Sequence, residues 1–163
     1  MRKAIALIAG IAVLLAVNWT IYARERLLTE GRIVLLGLAP VDPRSLMQGD
    51  YMALRFEVAS SVPRSPEAQA RDGRIVVRLD EQGVGRFARL DDSSPLQERE
   101  VALRYRVRDG KVKFATNAFF FQEGTARLYE NARFGEFRVA PSGELLLTGL
   151  RGKDHEPLGP RRR

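Results

Sequence analysis

The chain has no cysteine, one histidine and one tryptophan in 163 residues. Without cysteine there are no disulfides, no thiolate zinc sites and no cysteine nucleophiles. The lone histidine, His155, lies in the polar stretch Gly152-Lys153-Asp154-His155-Glu156-Pro157. No histidine pair can clasp a metal, and a Ser-His-Asp triad has little to build on. We read His155 as a solvated tail residue. Acids are outnumbered, with 20 Asp and Glu against 27 Lys and Arg and a net charge of +7. Such an excess invites a nucleic-acid reading, but the basic clustering that would support it is missing. Arginines alternate with acids, as in Arg78-Leu79-Asp80-Glu81 and Glu98-Arg99-Glu100, and the one run is Arg161-Arg162-Arg163. Scattered arginine fits a solvated sheet face, or a surface beside anionic lipid heads. We therefore expect no nucleic-acid partner, no metal site and no cofactor.

What the chain does have is a long apolar run. Residues 4–22 carry no charge. Nineteen residues at helical rise reach about 28 Å, close to a bilayer's hydrocarbon thickness. Trp19 and Tyr22 stand at the far end, where amphipathic rings favour the membrane–water interface, and Arg24-Glu25-Arg26 stops the run. A cleaved signal peptide would want small residues at a cleavage site, which residues 19–22 lack. A buried core helix of this length would have a polar face. The expectation is an uncleaved anchor with the lipid bilayer as its partner. Basic residues flank both ends and do not settle orientation. A short basic amino terminus before an apolar run looks like a signal anchor, which would place the rest outside the cytoplasm. Residues 1–23 are then a cytoplasmic stub and span, and 24–31 a polar linker.

Residues 32–150 read as a β-rich domain. Residues 32–39 form a first strand and residues 40–50 a long turn. Residues 51–59 alternate Met52, Leu54, Phe56 and Val58 against Tyr51, Ala53, Arg55 and Glu57, the period of a half-buried strand. Residues 60–73, with Pro63 and Pro66, form a loop. Three hairpins follow: 74–79 with 84–90 around Gly83, 100–107 with 111–116 around Asp109-Gly110, and 133–139 with 144–150 around Pro141-Ser142-Gly143. Residues 124–132 form one short helix. About eight strands argue for a mainly β fold, an antiparallel sandwich or partly closed barrel. The glycine-, proline- and charge-rich residues 151–163 read as a disordered basic tail.

Two constellations could carry function. The first runs from Asp42 through Arg44, Ser45, Gly49 and Asp50 to Tyr51, then Leu54 and Phe56. Asp42 and Asp50 can hold tight turns by bonding nearby backbone N–H groups. Alternatively, Arg44, Ser45, Asp50 and Tyr51 line a polar rim for a ligand or partner. The order Ser45-Leu46-Met47-Gln48-Gly49-Asp50 also superficially resembles signal-peptidase-type Ser/Lys enzymes. Methionine does not directly follow Ser45, however, and the intervening proline is absent. Lys111 and Lys113 flank an exposed hairpin, whereas a catalytic lysine must be desolvated. The second constellation is Phe119-Phe120-Phe121-Gln122-Glu123-Gly124, then Tyr129, then Phe134-Gly135-Glu136. Three consecutive rings cannot share one strand face. Either both faces are covered, or one ring anchors the following helix or meets the membrane surface. Glu123 and Glu136 could form an acid–base pair, but in a chain this rich in arginine they read first as ion-pair partners. No residue is assigned a catalytic role.

The octet Gly49-Asp50-Tyr51-Met52-Ala53-Leu54-Arg55-Phe56 resembles the signature of the GDYXXLXY family of bacterial single-span proteins. The lead-in Pro40-Val41-Asp42-Pro43-Arg44-Ser45 and the second constellation look like it too, so the resemblance covers residues 35–150. The family's final tyrosine is Phe56 here, so its ring matters more than a hydroxyl, as at a core position beside Leu54. The resemblance brings no assigned reaction. It implies a partner, a multi-spanning membrane protein. The expectation is a non-enzymatic accessory subunit in the bacterial inner membrane with a periplasmic domain. The alternatives are a membrane-anchored Ser/Lys hydrolase or an extracytoplasmic ligand sensor.

Overall fold

A computed structural model describes residues 2–39, 47–48, 51–63, 72–108, 110–116 and 118–160. Helix α1 spans Arg2–Glu30, about 43 Å at 1.5 Å per residue, against about 30 Å of bilayer hydrocarbon. It is long and apolar enough to cross a membrane, and none of its most apolar stretch is buried against the rest of the chain. Its two polar side chains within the run are satisfied by the helix itself. Asn18 Nδ2 donates to the Leu14 carbonyl at 3.1 Å, and Thr20 Oγ1 to the Val17 carbonyl at 2.7 Å. Such self-satisfaction is what hydrocarbon surroundings require.

The residues expected to form a linker are helical instead. Arg26 Nε bonds Glu30 Oε2 at 2.7 Å, one turn apart, and Leu27 is buried by the domain. The Gly31 carbonyl accepts from Arg138 Nη1 at 3.0 Å, and Arg24 pairs with Glu144 at 3.3 Å. Leu27 continues the helix because the domain supplies an apolar surface for it, which no local composition reveals.

The domain is mainly antiparallel β. Its strands are β1 (Arg32–Gly37), β2 (Met47–Gln48), β3 (Tyr51–Ala53), β4 (Gly73–Leu79), β5 (Gly85–Leu90), β6 (Glu100–Arg108), β7 (Lys111–Phe114), β8 (Ala118–Phe120), β9 (Phe134–Val139), β10 (Leu145–Arg151) and β11 (Pro157–Leu158). They form sheets ordered β1-β9-β10-β11, β2-β3-β8 and β5-β4-β6-β7. The hairpins read from turn chemistry are present. Gly83, Gly110 and Gly143 all have the positive φ of a left-handed turn, and Asp80 Oδ1 accepts from the Gln82 and Val84 amides. Two seams join the four-stranded sheets into a partly closed barrel. Leu35 N–H donates to the Gly83 carbonyl at 2.9 Å, and Arg104 N–H to the Gly143 carbonyl at 2.8 Å.

Three further expectations are corrected. The strand over residues 51–59 stops at Ala53. Phe56 then bridges Leu38, and the chain coils into helix α2, Glu57–Ser61. Val58 still points inward with Met52, Leu54 and Phe56, and Val62, one helical turn on, joins it in the core. The helix over residues 124–132 shrinks to a 3₁₀ turn, Ala126–Tyr129. The described part of the tail, residues 151–160, is folded: β11 pairs with β10 at Leu150–Leu158 and Arg151–Pro157, and the His155 ring lies 4.7 Å from that of Phe134.

Val34, Leu36, Ile75, Val77, Leu103, Phe114 and Phe137 form the driest part of the core. Glu100 is the one buried charged residue among those described. Its Oε2 accepts the Gln97 N–H at 3.2 Å and meets Arg89 at 3.3 Å, with Arg78 at 3.6 Å from Oε1. The Gln97 N–H, helped by Arg89 and Arg78, holds the Glu100 pKa below the ordinary glutamate value, against the opposing effect of burial. A carboxyl depressed in this way contributes its full stabilisation above its unfolded pKa of about 4.3. That contribution is lost as pH falls through the folded value. Between about pH 5 and pH 3 the Tm of the wild type should therefore fall more steeply than that of Glu100→Gln. Parallel Tm profiles by circular dichroism would remove Glu100 from the acid response.

Candidate functional site

The β2–β3–β8 ribbon carries the described part of the first constellation. Asp42, Arg44, Ser45, Gly49 and Asp50 lie outside the described residues. Gln48 pairs with Tyr51, and Tyr51 in turn with Phe120 across β8. The Tyr51 and Phe120 rings sit 5.8 Å apart, and Phe120 is 61% exposed. Alternation along β3 and the residues after it sends Leu54 and Phe56 the other way, into the core.

Phe56 is where the two constellations meet. Its ring packs edge-on against Phe137 at 5.2 Å and fills the space over Gly135. A Cβ on Gly135 would stand 2.8 Å from Phe56 Cε1. The glycine is therefore required by the ring above it.

The three phenylalanines divide between faces. Phe119 and Phe121 turn inward onto Tyr129, with ring centroids 5.1 and 5.4 Å away, and Phe120 turns outward. Gln122 accepts from Thr125 through its carbonyl, Gly124 makes the turn at φ +78°, and Glu123 is exposed. The Tyr129 hydroxyl reaches the folded carboxy-terminal segment, where Gly159 (φ +71°) leaves room for it. Glu136 is held by Arg151 and accepts from Thr148 Oγ1 at 3.1 Å. The structure thus gives Glu136 an ion-pair role beside Arg151. Sequence reasoning missed Arg151, His155 and Gly159 as parts of this corner. The apolar Leu158 within an otherwise polar stretch was the available signal.

A groove of about 420 Å³ lies between α2 and β7. Leu54, Phe56, Val62 and Phe114 form its floor, with Arg55 and Lys111 at the rim. Beneath it, Tyr105 packs on Phe114. Burial, with the nearby Asp72 charge, raises the Tyr105 phenol above its ordinary pKa. Lys111 is exposed and Lys113 half-buried on β7, and Ser45 lies outside the described residues. Among the described residues no group of three His, Asp or Glu side chains could hold a metal.

Residues 13–150 match the family described as GDYXXLXY protein. The chain belongs to this family. In this GDYXXLXY protein the match takes in most of α1 and every strand of the domain except β11 and the last residue of β10. No curated protein and no solved structure matches the chain.

Proposed function

We propose that this GDYXXLXY protein is a non-enzymatic, membrane-anchored accessory subunit that docks on a multi-spanning membrane protein, with its β domain on the outer side of a bacterial inner membrane. The observation that carries the reading is the join between α1 and the domain. The apolar helix leaves its own surface uncovered, while Leu27, the Arg24–Glu144 pair and the Arg138–Gly31 bond lock its last turns to the domain. A partner in the same membrane would always meet the same face of the domain. Phe120, backed by the half-buried Tyr51, is suited to docking, because an exposed aromatic ring buries much apolar area at low entropic cost. The proposed rim also takes in Asp50, which directly precedes Tyr51 in sequence, and Arg44, seven positions before it.

Crosslinking in native membranes followed by affinity capture tests this. Phe120→Ala should weaken capture of one multi-spanning protein by roughly thirtyfold in affinity, the effect of losing an aromatic anchor worth about 2 kcal/mol. Asp50→Ala should act in the same direction. Full capture by either variant with an unchanged Tm would remove this surface, and no recovered membrane protein would sink the accessory reading. The α2–β7 groove supports ligand sensing as a second reading, in which a bound ligand raises the Tm. Glu136, held by Arg151, lends no support to a Glu123/Glu136 hydrolase.

A further inference from the structure

A second cavity, of about 410 Å³, lies where α1 meets the β9–β10 turn. Its floor is apolar, from Ala23, Leu27 and Pro141, and its rim carries Arg24, Arg26, Glu30 and Glu144. Its depth follows from the helix. The cavity begins one residue beyond the uncharged run, and Ala23 to Glu30 covers about 10 Å of axis. The headgroup layer on each side of a bilayer is about 5–8 Å thick. Because α1 enters the domain without a flexible joint, the cavity opens into that layer.

Its chemistry has both signs side by side. Arg24 Nη1 meets Glu144 at 3.3 Å and Arg26 Nε meets Glu30 at 2.7 Å, with all four side chains at least half exposed. Each guanidinium uses one nitrogen in its pair and each carboxylate one oxygen. The remaining N–H groups match a phosphate, which guanidinium binds in a forked geometry. The remaining carboxylate oxygens match a primary ammonium, which has three donors. A headgroup with only negative charge would leave the remaining oxygens of Glu30 and Glu144 without a donor, and a quaternary ammonium has no N–H to donate.

We propose that this junction cavity binds a phospholipid whose headgroup joins a phosphate to a primary ammonium. The proposal rests on α1 being a membrane anchor. The bound lipid would fix the height and tilt of the domain on the membrane, with its chains running along α1.

Trp19, the one tryptophan of the chain, reports on this site. Trp19, Ala23 and Glu30 are four and then seven residues apart and share one helix face. The full chain is reconstituted in vesicles containing brominated phosphatidylethanolamine, phosphatidylcholine or phosphatidylglycerol at equal mole fraction, and Trp19 quenching is read. Phosphatidylethanolamine should compete roughly threefold better than either of the others, a size that exposed charge pairs allow. The preference should vanish in Glu30→Gln/Glu144→Gln while overall quenching persists. Equal quenching by the three lipids, a preference for phosphatidylglycerol, or a preference that survives in the double variant would overturn the proposal. Absence of quenching by every lipid would overturn the anchor reading, and this inference with it.

Discussion

Replacing Phe137 by alanine should destabilise the β domain by about 3–5 kcal/mol, the range for large aromatic deletions from a packed core. Phe137 has no exposed surface, and its ring supports that of Phe56 edge-on directly above Gly135. Removing it leaves a cavity where β9 faces the residues that follow β3. The backbone there cannot collapse easily, because β9 is paired on both sides, with β1 and with β10. For a domain of this size the loss corresponds to a fall in Tm of roughly 10–20 °C. Phe137→Leu, which keeps most of the volume, should cost much less. The measurement is thermal unfolding of the full chain in detergent by circular dichroism. A change below about 1 kcal/mol would mean that Phe56 and Phe137 do not form the keystone of the core.

Leu14→Arg should act on the other half of the molecule. Leu14 lies near the centre of the uncharged run, and its side chain is open to the surroundings. An arginine at a span centre costs about 2.5–3.5 kcal/mol on insertion scales, and loss of the leucine adds about 0.5. Together these amount to a hundredfold or more against insertion. Fewer chains should resist alkaline extraction from membranes. The Tm of the domain should stay at the wild-type value, since this stretch of α1 packs on nothing in the domain. Unchanged extraction would contradict the anchor, whereas a fall in Tm would mean that the helix supports the domain along its length.

Different kinds of signal made different parts of the molecule legible. The long apolar helix followed from length and absence of charge. The hairpins followed from Gly83, Gly110 and Gly143, whose turns are specified within a few residues. Inward placement of Met52, Leu54, Phe56 and Val58 followed from alternation, and it survived even where the backbone did not. Val58 became helical because Phe56 is pinned to Leu38, a partner eighteen positions away. Such a pin has no trace in the local pattern. The helical continuation through Leu27 and the folded segment after Arg151 were hidden for the same reason: polar composition suggested solvent, while distant surfaces supplied the cover. At the candidate site, the sequence alone marked both constellations but could not show that Phe56 sits on Gly135, or that Glu136 belongs to Arg151.

Short-range spacing was enough to establish a helix long and apolar enough to cross a membrane, a mainly β domain built from hairpins, and membership of the GDYXXLXY family. Long-range packing settled that the helix is locked to the domain, that the Gly83 and Gly143 carbonyls join the sheets of a partly closed barrel, and that Phe120 rather than Phe119 or Phe121 faces outward. Each of those outcomes depends on contacts between residues far apart in the chain, whose free energy is set by packing and shared hydrogen bonds, not by the residue types at either end.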